Sequence, residues 1–187
     1  MTDQDATKHL LMSASRIGRT LTRIAFQIFE DTRGSGDLVI LGINKRGALL
    51  ATILSKKLSE IFKAKIKAFP VDLKNPDYAG SAAESAGEAL AHTLPDIENK
   101  KVIIVDDVIY SGKTMFGTLQ MLMSAGTPSE IKLAALVDRG HRRYPLNIEY
   151  LGMFCPTKLD EHVHCDFTGD GEPGAVWLHA TSVAEEK

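Results

Sequence analysis

The stretch VIIVDDVIYSGKT, residues 102–114, holds most of the chemistry this chain can do. Four apolar residues run into Asp106 and Asp107, and a turn of Tyr110, Ser111, Gly112, Lys113 and Thr114 follows. Two like charges against a buried strand repel each other and are costly to desolvate, so their position calls for a positive or hydroxyl-rich ligand. Gly112-Lys113-Thr114 matches the end of the ATP-binding pattern GxxxxGK[ST], but Asp107 stands where its first glycine is required. A carboxylate there would oppose the phosphates, and an ATP loop is excluded. What remains is an apolar strand, paired acids, and a small polar turn opening a helix. In open parallel sheets ligands sit beyond the carboxyl ends of strands, and the amides of a helix start bind phosphate. A sugar with a terminal phosphate satisfies both halves. The acids accept hydrogen bonds from its hydroxyls, while the amides of residues 110–114 and the Ser111 and Thr114 hydroxyls hold the phosphate.

The elements that must position these residues alternate. Residues 7–33 carry Leu10, Ile17, Leu21, Ile24 and Ile28 at helical spacing and stop at Gly34-Ser35-Gly36, which predicts an amphipathic opening helix. LVILGI (38–43) reads as a strand, NKRG as a loop and ALLATILSKKLSEIF as a helix. IKAFPVDL, KVIIVDDV and IKLAALVD (131–138) read as further strands, and KTMFGTLQMLMSAG as a helix with Met115, Leu119, Leu122 and Met123 inward. Val, Ile and Leu-rich strands alternating with helices predict an α/β fold with a parallel, doubly covered sheet. The stretch 74–99, rich in Gly, Ala and Ser, is expected to be a functional loop. IEYLG, HVHCDF and AVWLHA, the last two separated by TGDGEPG, read as a small β addition. The expectation is one domain over 1–187, with a core at about 7–138 and a hood and β addition at about 139–180.

Composition narrows the classes. The 187 residues are 44% hydrophobic and 25% charged, with a formal net charge of -2, so overall charge does not mark a nucleic-acid binder. No apolar run reaches membrane-spanning length and the start lacks a secretory pattern, which predicts a cytoplasmic protein with no membrane partner. Cys155 and Cys165 are not in CxxC spacing. His162, His164 and Cys165 could face one ion from a strand, but a fourth ligand has no candidate, and a partly exposed strand is the preferred reading.

On these residues, VIIVDDVIYSGKT resembles the phosphoribosyl-pyrophosphate (PRPP) signature of the type I phosphoribosyltransferases. LTRIAFQIFED, LVILGINKRGALLA and LAALVDRGHRRYPLNIEYLG are similar to the pyrimidine operon attenuation regulator (PyrR) family, which combines messenger-RNA binding with uracil phosphoribosyltransferase activity. The resemblance covers most of residues 16–157 and implies a Rossmann-like parallel core with a small β hood. It implies that Asp106 and Asp107 bind the ribose, and that Tyr110, Ser111, Gly112, Lys113 and Thr114 bind the 5'-phosphate. Asn44, Lys45, Arg46 and Gly47 would form the pyrophosphate loop, with Arg46 and the two acids as the catalytic set. Val137, Asp138, Arg139, Tyr150, Met153 and Phe154 would be the hood over the base. Magnesium would be held mainly by PRPP and water, with Asp106 as the one protein group near it. An RNA face would comprise Arg19, Thr22, Arg23, His141 and Arg142, with Arg16 and Arg143 nearby, and the resemblance also implies a homo-oligomer, a dimer or larger.

The sequence departs from that family in its closing loop, where no lysine or arginine stands between Asn75 and Asn99. Lys74 sits at the loop's start. Three readings therefore stand beside one another: a uracil phosphoribosyltransferase, an RNA-binding regulator that keeps the pocket as a sensor, and a purine phosphoribosyltransferase. A stand-alone PRPP binder is the weakest.

Overall fold

A strand buried on both faces must be apolar throughout, and β4 (Lys101–Ile109) meets that requirement in its first half. Val102 and Ile104 enter one core while Ile103 and Val105 enter the other. In the computed structural model, which describes residues 7–72, 94–168 and 171–180, β4 lies at the centre of a five-stranded parallel sheet. Its neighbours are β2 (Leu38–Ile43) and β5 (Glu130–Asp138), with β3 (Ala68–Val71) and β6 (Tyr150–Phe154) at the edges, in the order β3-β2-β4-β5-β6.

Helices α1 (Ala14–Thr32) and α2 (Asn44–Phe62) cover one face and α3 (Lys113–Ala125) the other, as alternation of strands and helices predicts. In α1, Ile17, Leu21, Ile24, Ala25 and Ile28 form the buried stripe, and each large side chain contributes roughly 1.5–3 kcal/mol by leaving water. Arg33 and Gly34 end the helix with positive φ, their amides donating to Glu30 O and Phe29 O.

A second, antiparallel sheet stands beside the first, in the order β1-β8-β7, from β1 (Thr7–Ser13), β7 (Glu161–Phe167) and β8 (Pro173–Ala180). Its inward residues Met12, Cys165 and Val176 join the core under α1 and α2.

Three local expectations are corrected. Residues 7–13 are a strand rather than the start of the opening helix: the Ser13 side chain accepts the Arg16 N–H and starts α1 there, while the preceding residues pair with β8. Leu10 is accordingly exposed. The strand within IEYLGMF is not part of the small β addition but the fifth strand of the parallel sheet, because its apolar residues pair with β5. Met123, expected inward, is exposed on α3. The expected loop 74–99, Lys74 included, lies outside the described residues as far as residue 93.

The strand order places the site. From β2 the chain goes to β3 on one side and returns to β4 on the other, so the carboxyl ends of β2 and β4 flank a crevice where the order reverses. Pairing of β2 with β4 ends at Gly42 and Val105, while β4 continues along β5 to Ile109. Asp106 and Asp107 stand on this overhang, past the end of β2.

Candidate active site

Successive strand residues point to opposite faces, and the two acids do so. Asp106 lines a cavity of about 210 Å³ together with Tyr110, Ser111, Gly112 and Thr114. Asp107, only 9% exposed, faces the second sheet, where its charge bears on the buried Cys165 thiol. Burial first, and the charge of Asp107 second, hold the Asp106 carboxyl well above the usual carboxylate range. Its Oδ1 accepts the Asp107 N–H at 2.9 Å, which offsets part of that effect. Burial, then the Asp107 charge, likewise raises the Cys165 thiol.

The phosphate end of the cavity is the start of α3. Gly112 adopts φ of 79° at the cap, where an L side chain is strained, and a Cβ there would lie 2.9 Å from Leu146 Cδ1. Gly112 offers no side-chain cap, the Lys113 N–H donates to Ser111 Oγ at 3.3 Å, and the start of the helix lies beside the Ser111 and Thr114 hydroxyls. Of residues 110–114, expected on a phosphate, the fold brings Tyr110, Ser111, Gly112 and Thr114 to one cavity with Asp106, while the exposed Lys113 does not line it.

Across the crevice, α2 begins at Asn44, also without a side-chain cap. Asn44 has φ of 53°, and its buried Oδ1 has no hydrogen-bond partner among the described residues. Lys45 and Arg46 follow, and Gly47 lets the helix approach β4. The Arg46 guanidinium rests on His164 of β7, its Nη2 3.1 Å from Nδ1, while His164 Nε2 lies 3.0 Å from Asp166 Oδ1. Strand β7 therefore touches both halves of the crevice: Cys165 meets Asp107 and His164 meets Arg46. Sequence reasoning missed both contacts; the residues are far apart in the chain, and no local spacing signals them.

The expected hood is only partly available. Val137 and Asp138 are fully buried, and Tyr150, 1% exposed, is withdrawn from it. The Tyr150 hydroxyl donates to Asp31 Oδ2 at 2.9 Å at the base of α1, a framework contact that, after burial, raises the phenol above its ordinary range. Arg139 is 6% exposed; it donates to Thr157, Lys158 O and Glu161 O and stacks 4.5 Å over Tyr110. It braces the β6–β7 connection. Met153 and the exposed Phe154 remain at the open end of β6.

The expected RNA face divides in the same way. Arg142 pairs with the buried Asp138 and donates to Leu146 O, and His141 contacts Thr157 O at 2.6 Å. Thr22 donates to Gly18 O and accepts from Lys57. Arg23 reaches the carbonyls of Leu151 and Gly152 on edge strand β6. Arg16, Arg19 and Arg23 nevertheless share one exposed face of α1.

Residues implied for magnesium fit a hard cation. Asp106 and Asp107 are oxygen donors, and Asn44 presents an oxygen without a hydrogen-bond partner among the described residues across the crevice. Among the described residues no group of three or more His, Cys, Asp or Glu could hold a metal, so such an ion would take most of its ligands from substrate and water.

A parallel sheet with paired acids on a strand overhang and two uncapped helix starts around one crevice is the architecture of the phosphoribosyltransferases, and residues 11–170 match the phosphoribosyl transferase domain family. Within that class the chain belongs to the PyrR family. It is 36% identical over 162 residues to the bifunctional protein PyrR of Clostridium kluyveri, covering 86% of this chain and 91% of that one. To the bifunctional protein PyrR of Geobacter sp. it is 37% identical, covering 92% and 98%. Among solved structures, the hypoxanthine phosphoribosyltransferase of Trypanosoma cruzi superposes with a TM-score of 0.69 at 18% identity, covering 92% of this chain and 97% of that one. A hypoxanthine-guanine phosphoribosyltransferase of Bacillus anthracis gives 0.62 at 22%, covering 81% and 86%. These two share the fold.

Proposed function

We propose that this protein transfers the phosphoribosyl group of PRPP to uracil, releasing pyrophosphate and forming UMP. The observation that carries the reading is the cavity that unites Asp106 with the uncapped start of α3 beside a second uncapped helix start at Asn44. The α3 amides and the Ser111 and Thr114 hydroxyls bind the 5'-phosphate. Asp106 takes the ribose hydroxyls, and Asp107, steadied by Cys165, supplies negative charge below the ring. Lys45, Arg46 and the α2 amides receive the pyrophosphate, and Met153, Phe154 and the backbone around Arg139 enclose the base.

The reaction breaks the bond between the anomeric carbon and the pyrophosphate oxygen and forms one from that carbon to a uracil nitrogen, which loses its proton. Positive charge grows on the ribose ring in between. The two carboxylates oppose that charge, and the cationic loop stabilises the leaving group; a preorganised contact of this kind is worth roughly 10²–10³ in rate. Magnesium, when bound with PRPP through its oxygens and Asp106, would neutralise the pyrophosphate. A covalent enzyme nucleophile is not required.

Arg16, Arg19 and Arg23, exposed on one face of α1, favour a second activity: binding of pyrimidine-operon leader RNA, in keeping with the word bifunctional in the relatives' name. A cytoplasmic homo-oligomer is the reading that the family resemblance supports; separately, among the described residues no helix is long and apolar enough to cross a membrane. Incubation with PRPP, magnesium and each nucleobase tests the transferase. Turnover with uracil is expected, and turnover with hypoxanthine or guanine alone would replace it by a purine enzyme.

A further inference from the structure

Arginine side chains are flexible, and a guanidinium that must meet a leaving group gains from being held beforehand. Arg46 is held. Its Nη2 lies 3.1 Å from His164 Nδ1 and 3.4 Å from Nε2, and Nε2 lies 3.0 Å from Asp166 Oδ1. A guanidinium only donates and a carboxylate only accepts, so the arrangement that satisfies the two shorter contacts has Nδ1 accepting from Arg46 and Nε2 donating to Asp166. The strand geometry supports this. His164 and Asp166 lie on one face of β7, while Cys165 between them turns to Asp107.

We propose that His164, fixed by Asp166, is a positioning residue for the PRPP site: it holds Arg46 over the pyrophosphate loop, so that the hood strand β7 sets the geometry of the leaving-group cation. The proposal rests on the reading of Arg46 as a pyrophosphate ligand. His164 itself touches no substrate.

The test is calorimetric titration of the protein with PRPP and magnesium at neutral pH, for wild type, H164L, H164Q, D166N and R46Q, with UMP as a ligand that lacks the pyrophosphate. H164L is expected to weaken PRPP binding about tenfold, a typical size for a hydrogen bond to a charged group, and to leave UMP binding intact, which also reports a folded protein. H164Q, which keeps an acceptor, is expected to retain most of the affinity. If R46Q weakens PRPP while H164L and wild type share one affinity, the positioning role is overturned. If R46Q leaves PRPP affinity unchanged, the pyrophosphate-loop reading itself is wrong, a result distinct from the first.

Discussion

Gly47 and Asp106 are pressed together: a Cβ on Gly47 would lie 2.6 Å from the carbonyl oxygen of Val105 and 3.5 Å from Asp106 Oδ1. Strand β4 and the start of α2 thus meet backbone to backbone, which brings the pyrophosphate loop to the acid pair.

Gly47→Ala forces that contact apart, and backbone cannot yield as a side-chain tip would. A loss of about 1–3 kcal/mol in stability is expected, with PRPP affinity falling more than UMP affinity, because α2 carries the pyrophosphate loop. Thermal unfolding and ligand titration of the variant check both effects.

Asp106 is a stability liability kept for binding. Its folded carboxyl is raised above the unfolded value by burial and by Asp107. The folded state therefore keeps a proton that the unfolded state has released, and stability falls as pH rises from the unfolded pKa toward the folded one. The cost is absent in acid and grows as pH rises. Asp106→Asn removes the charge while its side-chain oxygen still accepts the Asp107 N–H, so the variant should gain stability at pH 7, by roughly the 0.5–2 kcal/mol common for a single stabilising change. That gain should shrink in acid, while PRPP binding is abolished. Unfolding curves at neutral and acidic pH, with PRPP titration, read all three.

Arg142 and Arg19 separate structure from RNA recognition. Arg142→Ala leaves the fully buried Asp138 carboxylate without its cation, and a loss of about 2–4 kcal/mol is expected, since removing one partner strands the other. Arg19 is exposed and, among the described residues, bonds to Ser15 within its own helix, so Arg19→Ala should change stability by less than about 0.5 kcal/mol. In filter binding to leader RNA it should weaken affinity and lower the salt slope by about one. Unchanged RNA affinity and slope would remove α1 from the RNA face.

The central strand and the turn after it were legible because their signals are local: an apolar run, two acids, and small residues at a helix start. The parallel sheet followed from alternation of element types. Residues 7–13 were misread because Leu10 and Ile17 also fit a helical spacing, and only the Ser13 cap and pairing with β8 break that pattern. Tyr150, Arg139, His141 and Arg142 were expected in the hood and RNA face from the resemblance alone, and the contacts of their side chains within the fold were not legible. Their partners, Asp31, Thr157, Glu161 and Asp138, lie on other elements or in irregular connections. Side-chain satisfaction of that kind has no sequence period. The Arg46 to His164 contact joins residues 118 apart and was equally invisible.

The central claim is that the crevice between β2 and β4 still performs transfer, and the direct measurement is conversion of radiolabelled uracil to UMP with PRPP and magnesium. Equal yields of UMP and pyrophosphate, lost in the variant with both Asp106 and Asp107 changed to Asn, are predicted. Tight PRPP binding with no pyrophosphate released on any nucleobase would contradict the account and leave the pocket a sensor.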